Sequence, residues 1–255
     1  MPYMDVADIH LYFEEHGPSD GAPLVLLHGG GGSSDDPVGG WALLIPTLAA
    51  TWRVIAVDHR GHGRTDNPAG FQSFEQMGDD IAAMIDALGL GPAHIAGISD
   101  GGVIAIDIAL RRPELVRTIV LIGANYRNDD LTLGMVHGLD TDAIERAMPG
   151  LAAEFAERHD AGKYPGYWKD LIGHVRDNNT NSPAWTVDDL RRIACPTLLI
   201  AGENDPFANL EQMTVMRREI PLAEWLIVNH AGHAVHHEHP EFVGGRIADF
   251  ITRHP

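Results

Sequence analysis

The chain has a single cysteine, Cys195, in 255 residues, which excludes an internal disulfide and any cysteine-rich metal site. Lysine is nearly as scarce. Lys163 and Lys169 are the only two, leaving few candidates for Schiff-base chemistry. Positive charge is short overall: 18 Lys and Arg stand against 36 Asp and Glu, a net charge of −18. That balance repels phosphate backbones and anionic lipid, so neither nucleic acid nor a membrane surface is an expected partner. No apolar run approaches the ~20 residues of a membrane span. The start, Met1-Pro2-Tyr3-Met4-Asp5, lacks the basic residues of a secretory leader. A cytoplasmic globular protein is therefore expected. Apolar residues are plentiful, at 44% with 21% charged, enough for the core of one or two domains.

Short apolar runs recur at Leu24–Leu27, Val54–Val57, His94–Ile98, Ile119–Ile122 and Thr197–Ala201. They do not alternate polar with apolar, which predicts strands buried on both faces in a parallel sheet. Helical stripes lie between several of them. Phe74, Met77, Ile81, Met84, Ile85 and Leu88 fall on one face of a helix that Ser73 and Gln76 would open as a capping box and Gly89 would stop. A helix from about Asp100 to Arg112 is apolar nearly all round and should lie deep against the sheet. Ile9 to Glu14 alternates instead, which suits an antiparallel edge strand or hairpin. The alternation of strands and helices predicts an α/β architecture. Residues 125–186 break this rhythm, with a polar stretch that is helical in places from Leu139 to Arg158 and the aromatics Tyr164, Tyr167, Trp168 and Trp185. Roughly 60 residues would build a thin core alone. The segment is therefore expected as an excursion from a core domain formed by 1–124 and 187–255.

The sharpest motif is Gly97-Ile98-Ser99-Asp100-Gly101-Gly102, which follows an apolar strand and opens an apolar helix. That is the setting of a G-x-S-x-G nucleophile elbow, where small residues let a strained serine stand at the end of the strand. The bland alternative is a glycine-rich turn with an incidental serine. A serine needs a base and an orienting acid. Among 15 histidines, His233 is favoured because Gly232-His233 follows the apolar run Trp225–Val228 and precedes a last helix opened by Pro240. That helix carries Phe242, Val243, Ile247, Phe250 and Ile251 as its expected buried stripe. Asp205 follows the strand Thr197–Ala201 closely, with Glu203 as reserve acid and His230 as reserve base. The order Ser99, Asp205, His233 is the one in which acid and base follow an elbow serine. The loop His28-Gly29-Gly30-Gly31-Gly32 ends another strand. It would give an oxyanion one N–H, from Gly30 or else Gly31, and Asp100 would give the second. A phosphate-binding reading is weak, because neither G-x-G-x-x-G nor a P-loop lysine is present.

These pieces together resemble the α/β-hydrolase superfamily: His28-Gly29-Gly30, Asp58 to Thr65, Gly97-x-Ser99-x-Gly101-Gly102, Cys195 to Gly202 with Asp205, and Gly232-His233 with Glu238 and Pro240. The resemblance implies an eight-stranded, mostly parallel sheet with helices on both faces and the Ser99–Asp205–His233 triad at its carboxyl edge. It also implies a small helical cap at 125–186 and a mainly structural role for Asp58 to Thr65. A serine argues against family members that open epoxides or remove halide from an aspartate. Ala234 weakens the match to hydroxynitrile lyases, which commonly carry a lysine there, and to C–C hydrolases, which often carry a tryptophan. Perhydrolases share the triad. The expected activity is hydrolysis of a small-molecule ester or lactone through an acyl-enzyme. A C–C hydrolase or acyltransferase with the same triad is the alternative, and a ligand-sensing binding protein on this scaffold is the non-enzyme alternative.

The Ser99-Asp100-Gly101-Gly102 elbow is similar to that of valacyclovir hydrolase-like amino-acid ester hydrolases, whose corresponding aspartate contacts a substrate ammonium. Asp100 would then prefer cationic substrates; otherwise it faces solvent or caps its own helix. Tyr164, Tyr167, Trp168 and Trp185 are candidate pocket-lining residues, with packing of the excursion as their other use. The cluster His230, His233, His236, His237, Glu238, His239 reads as turn and lacks HExxH, so no functional metal is expected, and no cofactor. Cys195 reads as a small core residue. Oligomeric state is left open, a homo-oligomer included.

Overall fold

The computed structural model describes residues 3–255; Met1 and Pro2, the first residues of the start weighed above, lie outside the described residues. Eight strands form one sheet: β1 (Tyr3–Val6), β2 (Ile9–His16), β3 (Pro23–Leu27), β4 (Arg53–Val57), β5 (Ala93–Ile98), β6 (Val116–Ile122), β7 (Thr197–Gly202) and β8 (Ala223–Val228). Their order across the sheet is β1-β2-β4-β3-β5-β6-β7-β8. The β1–β2 hairpin and the β2–β4 pair are antiparallel, and every other pair is parallel. The architecture is thus the mostly parallel α/β sheet that the apolar runs predict.

Successive strand residues point to opposite faces, and both faces are covered. On one side Val25, Leu27, Ile95, Ile119, Leu121 and Leu199 pack with α2 (Phe74–Leu88), α3 (Asp100–Arg111) and α9 (Leu210–Glu219). On the other, Leu24, Leu26, Ala96, Ile98, Val120 and Leu198 pack with α1 (Ile45–Leu48), α10 (Val235–Glu238) and α11 (Pro240–Thr252). The remaining helices, α4 (Asp130–His137), α5 (Thr141–Ala147), α6 (Pro149–His159), α7 (Tyr167–Asn181) and α8 (Val187–Leu190), lie between β6 and β7. Chain enters and leaves this helical insertion through a narrow neck. Arg127 bridges Ala184 antiparallel, Trp185 N–H donates to Tyr126 O at 3.1 Å, and Asn128 N–H donates to Pro183 O at 3.2 Å.

The helical stretch expected in places from Leu139 to Arg158 is two helices, because Pro149 can take a first-turn position but cannot continue α5. Two local expectations need correction. Ser73 caps α2 by accepting from Gln76 N–H at 3.1 Å, but the reciprocal half of the box is missing, since Gln76 Oε1 has no partner among the described residues. Phe242 is 57% exposed. It sits about 100° round the helix from Val243, and Val243, Ile247, Phe250 and Ile251 already complete the buried stripe.

That contrast within one helix is testable by urea denaturation at pH 7. Phe250→Ala is expected to cost about 3–5 kcal/mol, as for a large aromatic removed from a packed core. Phe242→Ala should stay within about 0.5 kcal/mol of the wild type.

Candidate active site

Ser99 stands between β5 and α3 with φ 50° and ψ −117°, in the positive-φ region that non-glycine residues rarely occupy. The glycines around it are sterically required. A Cβ on Gly97 would fall 2.2 Å from the Gly101 carbonyl, and one on Gly101 would fall 2.3 Å from Leu27 O. The helix start is therefore pressed onto both β5 and the end of β3. Ser99 N–H donates to Ile122 O at 2.8 Å, which ties the elbow to the end of β6.

The next residue on β6's exit, Gly123, meets the other two candidates. It has φ +61°, and a Cβ there would lie 3.0 Å from His233 Nδ1 and 3.1 Å from Asp205 Oδ2. His233 Nδ1 lies 2.9 Å from both Asp205 oxygens. The Asp205 carboxylate is further fixed by the N–H groups of Phe207 at 2.8 Å and Ala208 at 3.0 Å, and the Phe207 ring packs 4.7 Å from the imidazole. Ser99, Asp205 and His233 thus converge on the end of β6. The reserve pair is engaged elsewhere: Glu203 accepts from His230 N–H at 2.9 Å, holding an exposed turn.

The 28–32 loop lies against the elbow, since a Cβ on Gly29 would touch Ser99 Cβ at 3.4 Å. The N–H groups of Gly30, Gly31 and Asp100 have no acceptor among the described residues. Asp100 begins α3, so its N–H lies at the positive end of that helix. Its side chain neither faces solvent nor caps α3. The carboxylate is buried, accepts from Asn179 Nδ2 on α7 at 3.1 Å to each oxygen, and meets Gly30, where a Cβ would lie 2.5 Å from Oδ2. Burial pushes this carboxyl up to about 6, against the opposing pull of Asn179 and His233.

Behind the loop lie four buried imidazoles. Ring centroids of His28 and His59 are 4.1 Å apart, those of His28 and His62 5.0 Å, and those of His62 and His159 5.9 Å. His28 Nδ1–H donates to Gly29 O at 2.7 Å while its Nε2 accepts from His59 N–H at 2.9 Å, which fixes a neutral ring. Burial holds all four below the ordinary imidazole value, His59 and His159 to about 3 and His62 to about 4.

The remaining candidates pack rather than converge on Ser99. Trp168 is buried inside the insertion, stacked on Phe155 at 5.8 Å beside Ile144 and Ile172. Trp185 lies at the neck, lining a cleft of about 570 Å³ with Tyr126 and Arg127. His236 and His237 reach Val38 O at 2.8 Å and Pro37 O at 3.1 Å; among the described residues, no group of three or more His, Cys, Asp or Glu could hold a metal ion. The Cys195 thiol is pushed up to about 11 by burial. Sequence reasoning missed Gly123, His159 and Asn179. Gly123 carried one legible signal, a glycine directly after a buried strand; the other two carried none.

A family model described as "Alpha/beta hydrolase family" matches residues 24–245. The chain is 30% identical over 253 residues to a protein of Azorhizobium caulinodans named, provisionally, carbamate hydrolase RutD, with 92% of each chain covered. It is 29% identical to the 2-hydroxymuconate semialdehyde hydrolase of Pseudomonas putida, over 93% of this chain and 89% of that one. Among solved structures, a variant of the meta-cleavage product hydrolase CumD from Pseudomonas fluorescens IP01 has a TM-score of 0.81 at 26% identity, over 98% of this chain and 97% of that one.

The histidine cluster generates a pH prediction. A ring held neutral in the folded state, with an unfolded value near 6.5, contributes stability that is fully present above that value. The contribution is lost as pH falls below it. The stability advantage of wild type over His62→Gln should therefore shrink by roughly 2 kcal/mol between pH 7 and pH 5, measured by urea denaturation at each pH. A pH-independent difference would contradict the neutral assignment.

Proposed function

The chain belongs to the alpha/beta hydrolase family, and on that premise we propose that it cleaves a carboxylic ester or lactone of a small molecule through an acyl-enzyme on Ser99. The observation that supports this reading is the His233–Asp205 hydrogen bond beside Gly123, one residue on from Ile122, whose carbonyl accepts from Ser99 N–H. Asp205 accepts a hydrogen bond from His233 Nδ1–H, which leaves Nε2 with the lone pair a general base needs. His233 takes the Ser99 hydroxyl proton as Oγ attacks the carbonyl carbon, then returns it to the leaving alcohol. Water, activated by the same imidazole, releases the acid. The oxyanion is received by the N–H groups of Asp100 and Gly30, with Gly31 as the alternative second donor; neither group has an acceptor that it must first give up.

Two finer readings rest on specific observations. The Asp100 carboxylate is buried beside Ser99 and, among the described residues, its only hydrogen-bonding partner is the neutral Asn179 amide. A substrate with a positive charge near its carbonyl would supply the missing countercharge. The likeness to proteins named 2-hydroxymuconate semialdehyde hydrolase and meta-cleavage product hydrolase supports C–C bond hydrolysis as the second reading for the same triad.

Hydrolysis of p-nitrophenyl acetate and butyrate should show a burst and turnover, and Ser99→Ala should lower turnover at least about 10³-fold. Survival of activity in that variant would move the nucleophile elsewhere. Asp100→Asn should cost aminoacyl esters about tenfold or more relative to neutral esters, the size expected for losing one hydrogen bond to a charged group. In the wild type, the preference for aminoacyl esters should grow as pH rises through about 6, where Asp100 ionises. Equal losses on both ester classes would exclude the role for Asp100.

A further inference from the structure

The helical insertion reaches back to both segments that carry the donors proposed for the oxyanion. His159, the last residue of α6, is fully buried. Its Nδ1 accepts from Gly63 N–H at 2.9 Å, so the ring proton must sit on Nε2, which donates to Gly31 O at 2.8 Å. Asn179, near the end of α7, donates to both oxygens of Asp100. Its own backbone carbonyl accepts from Asn128 Nδ2 at 2.6 Å, which anchors it to the neck. Between these two contacts α7 lies directly on the loop. A Cβ on Gly30 would come within 2.9 Å of Val175 Cγ1, and one on Gly31 within 3.0 Å of Ile172 Cδ1.

We propose that the insertion assembles the oxyanion hole, with His159 and Asn179 as positioning residues for its two halves. Four successive glycines, 29 to 32, form the loop, and glycine gives up more conformational freedom on ordering than any other residue. His28 fixes the Gly29 carbonyl from the core side, and His159 fixes the Gly31 carbonyl from the insertion side. The Gly30 N–H shares its peptide with the Gly29 carbonyl that His28 holds, and the Gly31 N–H belongs to the peptide between the two tethered ones. On the elbow side, Asn179 donates to both oxygens of the Asp100 carboxylate, which fixes that side chain against Gly30. With the insertion displaced, the loop loses one tether and a bare carboxylate stands beside the site. The chemistry then depends on the seating of helices that belong to a different part of the chain. This inference rests on the reading of Ser99 as the nucleophile.

The two hydrogen bonds of His159 can be separated. Glutamine places an amide donor where Nε2–H stood and keeps the tether to Gly31; asparagine places an acceptor where Nδ1 stood and keeps only the contact with Gly63. With p-nitrophenyl acetate, His159→Gln should retain kcat within about threefold, whereas His159→Asn should lower kcat about 30- to 100-fold with KM little changed, somewhat less than loss of a whole oxyanion donor. Asn179→Leu should likewise act on kcat. Equal losses in the Gln and Asn variants, or losses confined to KM, would overturn the proposal. A readout independent of turnover is the ¹H–¹⁵N signals of Gly30 and Gly31. These should move in His159→Asn and hold in His159→Gln; signals unmoved in His159→Asn would remove the tether. Hydrolysis that survives Ser99→Ala would instead overturn the serine reading, and with it any role for the tether in catalysis.

Discussion

The approach of α3 to the ends of β3 and β5 is the constraint on which the rest of the molecule depends. Any side chain at Gly97 or Gly101 would collide with backbone at little over 2 Å, so the strand cannot turn into the helix there unless both positions are bare. Because they are, Ser99 is forced into a positive-φ conformation, its N–H reaches Ile122, and the first N–H groups of α3 are left without acceptors. Asp205 and His233 reach the end of β6 along independent routes, from β7 and from the turn after β8. Gly123 leaves room for them by lacking a side chain of its own.

How much of this is legible in sequence depends on range. The elbow, the doubly buried strands and the α2 stripe are encoded within a few residues, so periodicity and glycine spacing reveal them. Asp205 and His233 are readable because each follows an apolar strand at short distance. Asn179 and His159 are different in kind. They meet their partners across 79 and 128 residues of chain, and an asparagine or histidine inside a polar helix looks like any solvated residue until the tertiary fold is in place. The same limit misplaces Trp168. Its size marks it as important, but sequence does not tell packing within the insertion from the lining of a pocket. Phe242 fails for a smaller reason, since a stripe read by eye is wider than the face that the sheet covers.

Electrostatics divides the molecule in a way that the net charge of −18 does not suggest. Away from Asp100, charge is admitted to the interior where it is paired. Arg60 meets Asp80 at 2.8 Å with both side chains buried. Asp58, fully buried, accepts from Ser34 N–H and from Arg64. Burial alone would raise the Asp58 carboxyl, but the Arg64 guanidinium holds it below its usual range. That hub ties the 58–65 stretch to the start of the 33–40 loop, consistent with a structural use for these residues. Beside it the four imidazoles stay uncharged, so the support of the glycine loop is a neutral network enclosed by paired charges.

The neck at Arg127 and Ala184 has a bearing on how such a chain can diversify. Both crossing points of the insertion lie side by side, so its length and sequence can be rewritten without moving a strand of the sheet or changing the order in which strands pair. A graft of foreign helices at this point would inherit the serine, the acid and the base intact. It would not inherit the two side chains that reach back to Gly31 and Asp100, and a transplant that changed substrate range while neglecting them would bind its new ligand and turn it over slowly.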